Sequence, residues 1–208
     1  MKKLFTLALC FAAMNLIGCA SAGLKNVDPS WTEAPSSVTV LFTEPDVQNK
    51  DDVVDDLPDF ADNFSGWFSK QMGDEFNKQA GMTPKFEVKG MDAFDFVPTT
   101  FKKKNASVPQ PKFEAIGEVD GFVISIANVV VSRFSETKMT GLTSAETKSY
   151  LQFAGEYSIA NASEKKVVTT GSFAAREQLG FALTKSNWEN LMETLVEEII
   201  KDTPLKKK

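Results

Sequence analysis

Residues 120–134 read DGFVISIANVVVSRF, and the fold turns on this stretch. Valine, isoleucine and phenylalanine crowd it, the β-branched and aromatic types that suit a pleated backbone. Phe122, Ile124, Ile126 and Val130 fall on one side of a period-two strand, with Val123, Val129 and Val131 on the other. A strand that is apolar on both sides is covered on both sides, so it belongs in the middle of a sheet.

Toward the C-terminus, the polar segment 135–148 reads as a link. Over 149–160, Leu151, Phe153, Tyr157 and Ile159 alternate with Gln152 and Glu156, which makes a second strand. Residues 161–164 form a turn and 165–176 return as a third strand. After an apolar connector at 179–183, Trp188, Leu191, Met192, Leu195, Val196, Ile199 and Ile200 recur at steps of three and four. That spacing predicts a helix with one buried stripe. Ser186 and Glu189 have the spacing of a capping box at its start, and Pro204 stops it.

Toward the N-terminus, residues 91–113 have no clear period. They hold Pro98, Pro109, Pro111 and the run Lys102-Lys103-Lys104, and read as a long loop with a short helix near 94–101. KFEVKG at 85–90 is a short strand. Before it, Leu57, Phe60, Phe64, Trp67, Phe68, Met72 and Phe76 make a helical stripe over 57–80. Asp55 or Asp56 caps this helix, Pro58 suits its first turn, and Gly81 ends it. SVTVLFT at 37–43 is the first strand.

The order is strand, helix, strand, long loop, three strands, helix. It predicts an α+β (α/β two-layer) domain: a mixed, mostly antiparallel sheet of about five strands with two helices packed on one face.

The chain has 208 residues and a net charge of −5. Residues 1–18 have the layout of an export signal: Lys2 and Lys3, then an apolar run that is too short for a permanent span. The run ends Leu16-Ile17-Gly18-Cys19, which resembles the lipobox of bacterial lipoproteins. The resemblance implies cleavage before Cys19 and acylation of its thiol. An ordinary cut near 20–22 and an uncleaved anchor are the alternatives. Residues 19–36, with Pro29 and Pro35, then read as a lipidated tether, 37–203 as one domain and 204–208 as a basic tail. Trp31 either packs on the domain or meets the membrane interface. Loss of Lys2 and Lys3 takes the charge to −7, a balance that argues against nucleic acid as a partner.

Lipobox, tether, SVTVLF strand, amphipathic helix, FVISIANVVVSR strand, meander and terminal helix together resemble a group of small α/β periplasmic lipoproteins. The group includes the lipopolysaccharide-assembly lipoprotein, the auxiliary lipoproteins of ABC-type transporters and related secretion-accessory lipoproteins. The resemblance covers 37–203 by order of elements and carries no functional residue across. It implies a lipid-anchored protein at the periplasmic face of the outer membrane, with surface display and the leaflet left open. It also implies an envelope membrane-protein partner.

The chemistry is sparse. There is no histidine, so nucleophile–histidine systems are excluded, and the only other cysteine, Cys10, lies in the signal. Neither a G-x-S-x-G elbow nor a phosphate loop is present. Asp46, Asp51, Asp52, Asp55, Asp56, Asp59 and Asp62 are dense, but their spacing does not fit a calcium loop. No catalytic residue, metal or cofactor is expected. Phe94, Phe96 and Phe101 beside Lys102, Lys103 and Lys104 form a hydrophobic-plus-basic stretch suited to a lipid or a membrane-protein partner. The expected function is a non-enzymatic accessory or assembly component of an envelope transport or secretion complex. A lipid- or apolar-ligand-binding module is the alternative, and a carboxylate-based hydrolase the second.

Overall fold

The computed structural model describes residues 23–49, 53, 63–102, 104–140, 144–180 and 182–207. The strand at 120–134 is the centre of the sheet and runs further than its apolar part, as β7 (Phe122–Met139). It pairs antiparallel with β8 (Ala145–Asn161) and parallel with β2 (Val38–Phe42). β9 (Lys166–Leu179) lies antiparallel on β8, and β1 (Lys25–Val27) closes that edge. β4 (Lys85–Val88) lies parallel on β2 and forms the other edge. The strand order is β1-β9-β8-β7-β2-β4, with β3 (Asp46–Val47) added parallel to β7.

The long helices α1 (Phe64–Ala80) and α3 (Lys185–Ile200) share one core with the sheet. Trp67 of α1 meets Trp188 of α3 edge-on, with centroids 5.5 Å apart. Phe68 packs on Phe42 and Phe153 of the sheet. Aromatic pairs of this kind contribute about 1 kcal/mol beyond the area they bury.

The expected fold class does not hold. The described residues are mostly β, with seven strands in one mixed sheet, a separate two-stranded hairpin and three helices. Three stretches account for the difference. Residues 91–113, read as a loop with a short helix, form a hairpin of β5 (Phe94–Phe101) and β6 (Lys104–Pro111), followed by the short helix α2 (Phe113–Ile116). Proline cannot donate to a ladder, so it argues against a central strand. A two-stranded ribbon has two free edges where proline is tolerated. The polar link 135–148 is largely strand, an extension of β7 and β8 in which Ser135–Ser149 and Thr137–Thr147 face each other as hydroxyl pairs. Finally, part of the tether is the edge strand β1.

The hairpin gives the sheet a second layer. Leu41, Val123 and Ala127 on the face away from the helices pack with Ala93, Phe94 and Ile116. The division of β7 between the two faces also differs from the simple alternation. A bulge between Ala127 and Val130, with Asn128 at φ 56°, shifts the phase by one residue. Val129 and Val131 therefore join Ile124 and Ile126 in the helix-side core.

The helix ends differ in detail. Asn63 caps α1 through a 2.8 Å bond from the Gly66 N–H, and Gly81 closes it at φ 72°. Asp55, Asp56, Pro58 and the rest of the expected first turn lie outside the described residues. α3 is capped at Thr184, whose N–H donates to the Asn187 Oδ1 at 2.9 Å, so the box is two residues earlier than Ser186–Glu189.

Candidate functional site

The structure separates the phenylalanines from the lysines of the 94–104 stretch. Phe94 and Phe101 are each 2% exposed, and Phe96 is half-buried against the hairpin-side cluster. Lys102 sits in the hairpin turn at φ 55° and Lys104 opens β6, both exposed. Lys103 and Cys19 lie outside the described residues. Phe94 and Phe96 therefore fasten the hairpin to the sheet, Phe101 is buried as well, and Lys102 and Lys104 face water.

Two other groupings lie along the β1 edge. The first joins β1 to the end of α3. Lys25 reaches across β9 and donates its ammonium to the carbonyl of Ile199 at 3.1 Å and to that of Lys201. These are carbonyls that the end of α3 leaves without helical partners, and a cation suits the negative end of the helix dipole. The ammonium lies 6.0 Å from the centroid of the Tyr157 ring, whose hydroxyl donates to the Glu198 carbonyl at 3.3 Å. The Glu198 carboxylate accepts from the Ala174 N–H at 3.0 Å and from the N–H of Gly23. Burial dominates the protonation of all three groups. It lowers the Lys25 ammonium to about 8 and raises the Glu198 carboxyl and the Tyr157 phenol above their ordinary values.

The second is a cleft of about 340 Å³ between residues 30–35 and the β8–β9 turn. Trp31, 9% exposed, stacks on Phe122 with centroids 5.3 Å apart and forms part of its wall. Glu33, Asn161, Glu164 and Lys166 supply polar lining. Asn161 Oδ1 fixes the turn by accepting from the Ser163 N–H and Oγ at 3.1 and 2.8 Å. Lys166 is bound to Asp28 at 2.7 Å, which holds the Asp28 carboxyl well below the usual range. The cleft has room for a small polar molecule. Sequence reasoning left Trp31 undecided and missed both groupings. The only signal was an indole in an otherwise polar stretch.

Among the described residues, no group of three or more acidic, cysteine or histidine side chains is placed to hold a metal ion. No described helix is long and apolar enough to cross a membrane.

No family model matches the chain, and no curated protein does. Among solved structures, it is similar to a PelC dodecamer from Paraburkholderia phytofirmans at 12% identity and a TM-score of 0.41. That match covers 89% of this chain and 97% of the other. It is also similar to a putative neuraminyllactose-binding hemagglutinin homolog from Helicobacter pylori at 9% identity and a TM-score of 0.38, over 82% of each chain. Neither is named as a lipopolysaccharide-assembly or ABC-transport auxiliary lipoprotein. At this identity and overlap they bear on neither the activity nor the partners of this chain.

Proposed function

We propose that this chain is a non-enzymatic bacterial envelope lipoprotein, acylated at Cys19 and acting as an accessory or assembly component of a transport or secretion complex. The observation that carries the reading is the passage from anchor to domain. The export signal ends at Leu16-Ile17-Gly18-Cys19, and by Lys25 the chain is already a strand of the sheet. A domain joined so closely to a lipid works at the membrane surface, where a protein partner would meet it. The absence of histidine from the sequence removes the commonest general base and so favours a binding role. The lining of the cleft, polar at Glu33, Asn161, Glu164 and Lys166, does not favour the apolar-ligand alternative.

Metabolic labelling with palmitate and membrane fractionation, for wild type and Cys19→Ser, test the anchor. Loss of both label and sedimentation in the variant is expected. An unmodified N-terminus at another residue in the processed wild type would overturn the reading. Crosslinking in intact envelopes tests the accessory role, and recovery of no membrane-protein partner would count against it.

A further inference from the structure

The chain enters the described fold at Gly23, and its surroundings fix which end of the domain lies nearest the proposed anchor. Gly23 donates to the Glu198 carboxylate in the last turn of α3, and Leu24 accepts from the Ser172 N–H at 2.8 Å. Gly23 is four residue steps from Cys19, and an extended chain of that length spans at most about 14 Å. The opposite edge, β4, lies five strand spacings away across the sheet, or about 24 Å at ~4.8 Å each. The acyl group can therefore reach the β1 edge and the end of α3, while the β4 edge, with Val88 54% exposed, stands off from it.

The end within reach carries a group of cations on a fixed platform. After α3 the chain does not trail into solvent. Leu205 is 1% exposed in the core, Thr203 Oγ1 donates to the Ile200 carbonyl at 2.6 Å, and the Lys207 N–H donates to the Gln79 carbonyl at 3.2 Å. Lys201 and Lys206 are exposed next to the Lys25 ammonium, and Lys207, also exposed, lies beside Gly81 at the end of α1. The acidic groups facing them are Glu197, bound to Lys206 at 3.2 Å, Asp202 and the half-buried Glu198. A chain that is acidic overall thus turns a locally basic end toward its own anchor.

We propose that the surface formed by β1, the end of α3 and residues 201–207 faces the bilayer, with Lys201, Lys206 and Lys207 against anionic headgroups. This rests on acylation at Cys19. The lipid chains supply the anchoring and the lysines set the orientation, since each cation near an anionic surface gains about 1 kcal/mol within a Debye length.

The test uses the full-length acylated protein in vesicles that contain phosphatidylglycerol and a headgroup-bound fluorescence acceptor. A single donor dye is placed on Lys207→Cys, Lys201→Cys or Val88→Cys, all exposed positions that leave the core intact. Mass spectrometry first reads the modification of Cys19. Energy transfer roughly twofold or more stronger from 207 and 201 than from 88, with the difference shrinking in high salt or on purely zwitterionic vesicles, is expected. Equal transfer from the three sites, or stronger transfer from 88, with Cys19 acylated, overturns the orientation alone. An unacylated Cys19 overturns the proposed function and this inference with it.

Discussion

Gly171 has no side chain because Tyr157 occupies its place. A Cβ built there would lie 2.5 Å from the ring, well inside contact distance, and it would sit on rigid strand backbone. Gly171→Ala should cost about 1–3 kcal/mol by overpacking. The penalty should shrink in a Tyr157→Leu background, and urea unfolding of the four variants in a double-mutant cycle measures that coupling. Lys25, on the same edge, makes stability depend on pH. The unfolded chain keeps the lysine proton up to about 10.5, whereas burial in the folded state releases it at about 8. Between those values the unfolded state binds more protons, so stability rises with pH across this window. Tyr157 acts in the opposite sense, but only above pH 10, because burial raises its folded value. Thermal unfolding of wild type from pH 7.5 to 9.5 should therefore show a rising midpoint, and Lys25→Met should flatten it. A slope that survives in Lys25→Met would assign the effect to another group.

Among the elements, α3 and the middle of β7 were plain in the sequence because each has a single unbroken period. The strand β8 and the body of α1 were legible for the same reason. The hairpin was hidden by Pro98, Pro109 and Pro111, which read as loop in any one-dimensional scan. Only the pairing of Phe94 with Pro111 through to Phe101 with Lys104 makes them compatible with a ribbon. Phe94, Phe96 and Phe101 were visible as an apolar group, but sequence cannot tell a phenylalanine aimed at a sheet from one aimed at a partner. The bulge at Asn128 left no mark, since asparagine enters the left-handed region without a glycine's signature. The cap of α3 is a case where two overlapping motifs compete. Thr184 with Asn187 holds the end in the structure, and Ser186 lies inside the helix. Thr184→Ala should cost about 1 kcal/mol, and Ser186→Ala less than about 0.5 kcal/mol. Equal losses in a denaturation series would restore the later register.

For the molecule as a whole, the decisive feature is how the proposed anchor is coupled to the body. A loose tether would let the domain tumble, but residues 25–31 are held at several points in succession. β1 pairs with β9, the Asp28 N–H donates to the Val168 carbonyl at 2.8 Å, Asp28 binds Lys166, and Trp31 stacks on Phe122. These contacts differ in weight. An exposed ion pair contributes about 0–1 kcal/mol, whereas truncating a buried indole removes several kcal/mol of packing. Trypsin can cut after Lys25 only when this segment lifts off, so the rate tracks the population of the opened form. Trp31→Ala, with about 2 kcal/mol of that docking lost, should speed cleavage after Lys25 by ~30-fold, and Asp28→Asn by no more than about fivefold. Mass spectrometry of the first cleavage products, at low protease and with the fold checked by circular dichroism, reads both. If wild type is cut after Lys25 as fast as Trp31→Ala, the segment is not docked in solution. The short path from Cys19 to a docked segment, and the orientation it implies, would then fail together.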